Sequence, residues 1–477
     1  MKKEPSLILS LIPVFFLITM LSLNVVGVFG DDALGGPNQY ILLLSGALTA
    51  LLAIRNGVSY DQIMEGIKKS IANTVPALLI LLLIGSLAGV WMLSGVIPTM
   101  IYYGLQLLNP AIFLPATAII CALVSLATGS SWGTTATVGI ALVGIGDAMQ
   151  ISSAMAAGAV ISGAYFGDKI SPLSDTTNLA PSMAGTDLFT HIKYMLYTTV
   201  PSFVLALIIF SFLSWNQTSN GDLSQLQPIL SELDSLFNIS PWLFLVPLSV
   251  IGLIVLKTPA LPAILAGTLI GGIFALLFQS DLMLTLSESN ALTWQSTYRL
   301  IMNSFTIDVS YPAQHPVLSS LLETGGMFGM WSTVLLVITA MIFGGAMEAG
   351  GFLQCISRNL LKLAKGTASL IATTAGTCVF VNVTASDQYL AIVLPGRMYA
   401  DAYKDAGLAP ENLSRTLEDS GTVTSVLVPW NTCGAYQSGI LNVDTMAYVP
   451  YAFFNLISPF MTLLFAIFNV KIKKLVQ

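Results

Sequence analysis

The sequence predicts an all-α membrane protein that crosses the bilayer many times. Of its 477 residues, 55% are hydrophobic and only 9% are charged, whereas a soluble domain carries roughly 25% charged residues. The mean hydropathy is +0.80, and apolar runs long enough to span a bilayer recur along the chain. Polar residues and prolines interrupt several of these runs. We therefore predict about ten transmembrane helices and two re-entrant hairpins, arranged in two inverted-topology repeats with broken helices.

The composition also excludes several classes of function. The net charge is −6 and the basic residues form no stripe, so we expect no nucleic-acid partner. The four cysteines and two histidines lack the close spacing of a metal centre or a disulfide framework. The chain contains neither a nucleotide-binding loop nor a nucleophile elbow. We therefore expect a protein that is not an enzyme, needs no cofactor and draws its energy from an ion gradient.

Residues 1–73 are predicted to form an N-terminal segment with two membrane helices, at 7–29 and 39–54. A cleaved signal peptide is the alternative interpretation of the first helix. No small-residue cleavage site follows position 30, however, and the apolar run is long for a signal peptide. We therefore expect a membrane anchor.

Residues 74–213 are predicted to form the first repeat. Two of its apolar runs, 113–128 and 132–145, are too short to cross comfortably and flank a polar break, as the limbs of a re-entrant hairpin do. A second break, within 151–180, holds two carboxylates, one lysine and a proline. Irregular backbone at membrane depth is tolerated only where it lines a protein cavity, so this break predicts a broken helix. The remaining elements are a span at 74–93, an arm at 95–110 and a span at 192–213.

Residues 214–330 are predicted to link the repeats, and residues 331–477 to form the second repeat. The linking spans are at 241–256 and 259–278; the second repeat has a span at 331–347, an arm at 352–365, a hairpin around 382–388, a broken helix at 417–441 and a span at 448–470. The halves align at nearly constant spacing through Gly89 and Gly95 with Gly345 and Gly351, Pro172 with Pro429, and Tyr194 and Tyr197 with Tyr448 and Tyr451. Interrupted apolar segments at matching places in two halves indicate a transporter binding site.

The distribution of Lys and Arg indicates the orientation of the chain, because cytoplasmic loops are enriched in both. With a cytoplasmic N-terminus, the arm at 95–110 lies outside and has no basic residue, whereas the arm at 352–365 lies inside and has three. The other inside loops carry Arg55, Lys68, Lys69, Lys257, Arg397, Lys404, Arg415, Lys471, Lys473 and Lys474, and Asp31 and Asp32 fall outside. The two repeats are therefore predicted to have opposite orientations, with both termini in the cytoplasm.

The polar breaks supply the oxygen atoms that a dehydrated sodium ion requires. Charges buried in a membrane mark ion or proton pathways, and Asp168 and Asp175 are the strongest candidates to carry a cation or a proton. The residues predicted to complete this site are Ser130, Ser131, Thr134, Ser171, Thr176, Thr177 and Asn178 in the first half, and Asn382, Thr384, Asp387, Gln388, Asn431 and Thr432 in the second. Sodium itself is placed at Asp175, Thr176, Asn178 and Asn431. For any single serine or threonine, a hydrogen bond to its own helix is an equally good explanation.

Four further charged residues are candidates for an ion entrance or for coupling. Lys169 either pairs with one of the two aspartates beside it or lies at the cytoplasmic edge. Glu348 ends an apolar span, where an interfacial helix end and a functional group are equally good explanations. Glu418 and Asp419 precede the second broken segment and are candidates for a solvated cytoplasmic entrance.

These motifs resemble a known family. Residues 127–134 read ATGSSWGT, 158–181 read GAVISGAYFGDKISPLSDTTNLAP, 417–422 read LEDSGT and 428–434 read VPWNTCG. Together they resemble the signature of the NhaC family of bacterial sodium–proton antiporters, over roughly residues 74–468. The family is similar to the wider ion-transporter superfamily, whose members pair a scaffold with a moving transport domain, often as homodimers. The resemblance implies a multi-pass protein of the bacterial inner membrane with an elevator-like movement and a homodimeric state.

The resemblance implies exchange of sodium for protons across the lipid bilayer. One branch of the family is similar to malate–lactate exchangers coupled to sodium and protons, so exchange of small organic acids is the alternative. That function requires a cationic or amide-rich pocket, for which Lys169, Arg397 and Asn431 are the candidates. A passive channel fits less well, because two broken-helix repeats suit an occluded site better than a continuous pore.

Overall fold

The protein is helical throughout the part of the chain that the structure describes. This computed structural model describes residues 4–29, 33, 35–217, 226–256, 258–287, 291–315, 318–319 and 322–475. The predictions made for Asp31, Asp32 and Lys257 lie outside these residues. Within the described residues, extended pairing is limited to an isolated β-bridge between Leu408 and Lys474.

Eight helices of the described residues are long and apolar enough to cross a membrane. They are Leu7–Phe29, Pro37–Arg55, Tyr60–Leu93, Pro110–Thr128, Leu188–Trp215, Ala260–Phe278, Trp331–Ala349 and Thr367–Thr384. Two bent pairs raise the number to ten, Gln227–Leu236 with Pro241–Val255 at 85° and Thr445–Tyr451 with Phe453–Ile467 at 57°. The prediction of an all-α, multi-pass membrane protein is confirmed.

Shorter helices fill the intervals between these spans. They are Val96–Leu107, Ser131–Thr134, Ile140–Ala148, Ser153–Ile170, Asp175–Ala184, Ser280–Leu286, Trp294–Thr306, Gly326–Gly329, Phe352–Leu361, Gln388–Asp405, Pro410–Leu417 and Thr432–Leu441. The segments Thr135–Gly139 and Glu418–Thr422 are π-helical turns. Wider turns of this kind occur often at functional sites.

The third helix, Tyr60–Leu93, begins earlier than the predicted span at 74–93 and has 34 residues. Ser59 and Gln62 form a capping box at its start, in which each side chain accepts a hydrogen bond from the other residue's backbone. At about 1.5 Å per residue the helix is roughly 50 Å long, so its polar first turns reach beyond the hydrocarbon core. The predicted boundary between residues 73 and 74 lies inside this helix.

In the first half, each break is made by residues that stop one helix and cap the next. Gly129 has φ +69° and ends the helix Phe113–Thr128, and the Ser130 hydroxyl accepts from the backbone N–H of Gly133 at 3.0 Å. The helix Ser153–Ile170 ends before Pro172, and Ser174 caps the helix Asp175–Ala184. The two breaks touch, because a Cβ added to Gly129 would come within 2.5 Å of Leu173.

The second half contains the same kinds of element in the same order. Asp387 accepts from the backbone N–H of Leu390 at 2.8 Å and begins the second limb of a hairpin, and Asn431 caps the helix Thr432–Leu441. Gly95 and Gly351 open the two arms with φ +77° and +76°. The matching order agrees with two repeats, while their inverted orientation stays a prediction. The helix Pro110–Thr128, whose apolar run at 113–128 was predicted to be too short to cross comfortably, is long and apolar enough to cross a membrane. The re-entrant path of the hairpins therefore stays a prediction.

The spans pack in two groups. In the first group, Trp331–Ala349 packs against both Pro37–Arg55 and Tyr60–Leu93, and Ala260–Phe278 packs against Tyr60–Leu93. The N-terminal helix packs against Pro37–Arg55. The hairpins and broken helices pack with Leu188–Gln217 and Phe453–Ile467. Small residues allow close approach inside the second group, since a Cβ at Gly163 would lie 2.1 Å from the carbonyl oxygen of Ala118.

Candidate functional site

A cavity of about 410 Å³ lies where the four breaks meet the helices Tyr60–Leu93 and Ala260–Phe278. Its described lining includes three aspartates and no lysine, arginine or histidine. The predicted site residues on its wall are Ser130, Ser131, Asp168, Asp175, Thr176, Asp387, Gln388 and Thr432. Both halves of the chain therefore contribute polar groups to one cavity.

Asp168 joins the first broken helix to the first hairpin. It lies in the last turn of the helix Ser153–Ile170 and is buried. The Ser131 hydroxyl donates to its Oδ2 at 2.7 Å. A hydrogen bond to an ionised group is stronger than one between neutral groups, so this contact holds the hairpin tip against the carboxylate.

Asp175 and Thr176 start the second part of the first broken helix. Asp175 is exposed at the cavity, and the Thr176 hydroxyl lies 3.2 Å from the Ser174 hydroxyl. A helix N-terminus carries partial positive charge and stabilises a neighbouring carboxylate. Asp175 therefore has a favourable position for negative charge while facing the cavity.

The second half supplies Asp387, Gln388 and Thr432. Asp387 is half-buried and caps its helix, which orients one oxygen toward the backbone. The Cys433 thiol donates to Gln388 Oε1 at 2.6 Å, and the Thr432 backbone N–H donates to the Ser386 carbonyl at 3.0 Å. The second hairpin and the second broken helix are thereby held together at the cavity wall.

Seven predicted site residues do not line the cavity, and their side chains satisfy backbone groups instead. The acceptors are the carbonyls of Ser130 for Thr134, Leu126 for Ser171, Lys169 for Thr177, Ser174 for Asn178, Gly421 for Asn382, Phe380 for Thr384 and Asn382 for Asn431. Of the four residues assigned to sodium, Asp175 and Thr176 line the cavity, whereas Asn178 and Asn431 do not.

Several residues that line the cavity were not among the site residues predicted from the sequence. Asn73 and Thr74 come from the long third helix, directly before the apolar run that begins at Val75, so the sequence marked them only as the start of a span. Trp132 and Tyr436 stack with ring centroids 3.9 Å apart, and the Tyr436 hydroxyl donates to the Trp132 carbonyl at 2.9 Å. Nothing in the sequence pairs these two rings, because they lie in different halves of the chain.

Lys169 forms a buried ion pair with Asp419, and neither side chain is exposed. Asp419 also accepts hydrogen bonds from Thr198, at 2.8 Å, and from Thr462. Lys169 thus pairs with neither of its neighbouring aspartates and is buried inside the protein. Glu418 and Asp419 are fully buried, in contrast to the predicted solvated entrance.

Glu348 is half-buried near the end of the helix Trp331–Ala349 and does not line the cavity.

Many helical spans with a polar cavity at helix breaks are the architecture of secondary transporters. The chain belongs to the Na+/H+ antiporter family, whose model matches residues 163–470. It is 39% identical to the Na(+)/H(+) antiporter NhaC of Alkalihalophilus pseudofirmus, over 84% of this chain and 83% of that protein. The predicted membership of the NhaC family is confirmed.

Other relatives carry different names. The chain is 36% identical to the malate-2H(+)/Na(+)-lactate antiporter of Bacillus subtilis, over 88% of this chain and 87% of the relative. It is 33% identical to the arginine/ornithine antiporter ArcD of Halobacterium salinarum, over 97% of this chain and 92% of the relative. Similarity over most of the chain is therefore shared by antiporters named for different substrates.

Proposed function

We propose that this protein is a secondary antiporter that expels sodium ions in exchange for protons. The observation that carries the proposal is the negative charge of the cavity. Asp168, Asp175 and Asp387 line it, and its described lining contains no basic side chain. Carboxylate and hydroxyl oxygens suit a hard cation and repel a carboxylate substrate. The family membership agrees with this assignment.

In this proposal, sodium and protons compete for the same carboxylates. Asp168 with Ser131 and Asp175 with Thr176 offer oxygens to the cation, and Asp387 and Thr432 of the second half line the same cavity. Several carboxylates around one cavity repel one another, and either a cation or a proton relieves that repulsion. Binding of one therefore weakens binding of the other.

Exchange of organic acids is the second candidate, and one observation favours it. Helices begin beside the cavity at Ser131, Asp175, Gln388 and Thr432, and helix N-termini attract anions. The Bacillus subtilis relative is named for malate and lactate. Against this candidate, Lys169 is paired with Asp419, and Arg397 and Asn431 do not line the cavity.

The setting of this activity is part of the same proposal. The protein resides in the bacterial inner membrane with both termini in the cytoplasm, and the cavity then faces the cytoplasm at the start of the helix Ala260–Phe278. It acts as a homodimer, not as an enzyme, and without a cofactor beyond the transported sodium. The chain divides into an N-terminal two-helix segment, a first inverted repeat, linking helices and loops, and a second inverted repeat, at 1–73, 74–213, 214–330 and 331–477.

The experiment uses purified protein in sealed vesicles with a pH-sensitive dye inside. A sodium gradient is imposed without organic acid, and then with malate, lactate or arginine across the membrane. A sodium-driven pH change in the absence of these solutes supports sodium–proton exchange. A response only with malate or lactate assigns the second candidate, and a response only with arginine refutes both.

A further inference from the structure

We infer that Glu418 carries the exchanged proton, at a position separate from the cavity that binds sodium. This inference rests on the proposed exchange of sodium for protons, and it places the exchanged proton on Glu418 instead of on the carboxylates that bind sodium. Glu418 begins the π-helical turn Glu418–Thr422, immediately before the break of the second broken helix. It does not line the cavity.

The first observation is the isolation of the Glu418 carboxyl group. Its side chain is fully buried, and neither oxygen forms a hydrogen bond with a described residue. The Thr422 hydroxyl, one wide turn further on, is near enough to interact with this carboxyl group and has no other hydrogen-bond partner. A buried ionised carboxylate with so little hydrogen bonding is strongly unfavourable. The side chain is therefore neutral in this conformation and holds a proton.

The second observation is the contrast with the neighbouring residue. Asp419 accepts from Lys169, Thr198 and Thr462, and Ser458 contacts both members of the ion pair, at 3.1 Å from Lys169 and 3.2 Å from Asp419. Asp419 is thus paired with Lys169 and accepts several further hydrogen bonds. Adjacent carboxyl groups are placed in opposite environments, as expected for a structural anion beside a proton carrier.

The charged surroundings of Glu418 come from several helices. Lys169, Asp168 and Asp419 interact with it electrostatically, as does the Cys378 thiol on the helix Thr367–Thr384. His191, on the helix Leu188–Gln217, interacts with the Lys169–Asp419 pair. Arg415 is directed elsewhere, over the ring of Tyr194 at 4.6 Å. Among these groups, the one adjacent to the cavity is Asp168.

Asp168 provides the link between sodium and the proton. When sodium neutralises Asp168, Glu418 loses a repelling negative charge while Lys169 remains beside it. In a conformation that admits water to Glu418, its O–H bond then breaks, the proton passes to that water, and the electron pair stays on the carboxylate. When sodium leaves, the carboxylate takes a proton from water and becomes neutral again. Coupling between two sites is reciprocal, so protonation of Glu418 weakens sodium binding by the same factor.

The test compares two exchange reactions of the same reconstituted protein. Sodium–proton exchange is followed with an internal pH dye, and sodium–sodium exchange with radioactive sodium. The second reaction needs the cation site but no proton carrier. We expect Glu418→Gln to lower sodium–proton exchange about tenfold or more, while sodium–sodium exchange stays within about twofold of the wild type. Asp168→Asn is expected to lower both reactions.

Two further variants keep the test decisive. Glu418→Asp retains a carboxyl group and is expected to keep sodium–proton exchange with a displaced pH profile. Asp405→Asn changes an exposed acidic residue away from the cavity and serves as the matched control. The inference is refuted if Glu418→Gln keeps sodium–proton exchange, or if it loses both reactions to the same degree. If wild-type protein exchanges sodium for sodium but never for protons, the proposed function itself fails.

Discussion

At the scale of single residues, the site depends on which polar side chains are free to face the cavity. Ser131 and Thr134 lie one turn apart, yet Ser131 donates to Asp168 whereas Thr134 donates to a carbonyl of its own helix. Threonine and serine hydroxyls do this routinely. Serine and threonine residues in a motif therefore indicate a site, but they do not show which of these residues bind the ion.

The contact between Ser131 and Asp168 leads to a graded prediction. Asp168→Asn removes a charge from the cavity and is expected to abolish sodium-driven proton movement. Ser131→Ala removes a hydrogen bond to a charged group, worth about 1.5–3 kcal/mol, and is expected to weaken apparent sodium affinity roughly tenfold or more. Both effects are measured as sodium-concentration curves in vesicles. Ser211→Ala, on an exposed helix face, is the control, and equal affinities for Ser131→Ala and wild type would contradict the assignment.

The ion pair between Lys169 and Asp419 leads to a prediction about stability. Removing one partner leaves a buried, unpaired charge, which typically destabilises by about 3–5 kcal/mol. Lys169→Met or Asp419→Leu alone should therefore lower the melting temperature in detergent strongly. The double variant, which removes both charges, should recover much of the loss. Additive losses in the double variant would show that the two charges do not stabilise each other.

At the scale of elements, the breaks are built by glycine and by capping residues. Gly129 has φ +69° and packs on Leu173, so it fixes both the hairpin tip and the contact between two breaks. A left-handed conformation is costly for other residues. The position of the break is therefore a local property of the sequence, whereas the contact with Leu173 depends on packing.

Gly129→Ala tests this element directly. The added methyl group would meet Leu173 at 2.5 Å in an unfavourable backbone conformation, and we expect a lower melting temperature together with strongly reduced transport. The control is Gly376→Ala, in the helix Thr367–Thr384, where an added Cβ meets nothing within 4 Å. Replacing a helical glycine by alanine typically stabilises by about 0.5–1 kcal/mol. Equal melting temperatures for both variants would contradict this account.

The C-terminal segment gives a prediction that depends on pH. The hydrogen bond from Lys473 to Glu411 raises the pKa of the lysine. A group whose pKa is higher in the folded state adds stability below its unfolded pKa, and this is lost as pH rises through the folded pKa. Lys473→Gln should therefore melt slightly lower than wild type near neutral pH and equally at strongly alkaline pH. Lys474→Gln is the control, and a difference that grows with pH would oppose the assignment.

At the scale of the whole molecule, two cavities are lined in part by the helix Thr432–Leu441. Thr432, Cys433 and Tyr436 face the cavity described above. Ser438 and Gly439 face a second one of about 570 Å³, which Asp308 and Glu323 also line. Alternating access requires that one site opens to each side of the membrane in turn, and this helix contributes residues to both cavities.

The predicted orientation is tested by labelling. In a variant whose four cysteines are replaced by alanine, Lys362→Cys should react with a membrane-impermeant maleimide only in inverted vesicles. Asp281→Cys should react in intact cells. These expectations follow from the positive-inside rule, which places the second arm in the cytoplasm. Labelling of position 362 in intact cells would reverse the orientation, and labelling of both positions from one side would refute the assigned number of crossings.

The sequence by itself determined the class of protein, the places where helices break and the family. These depend on composition and local chemistry, because charges and prolines in an apolar run are unfavourable wherever the chain folds. Only the tertiary structure decided that Lys169 pairs with Asp419 and that Asn431 lies off the cavity while Asn73 lines it. These outcomes depend on which distant segments come into contact and on which polar side chains already donate hydrogen bonds to backbone carbonyls. The local sequence pattern determines neither.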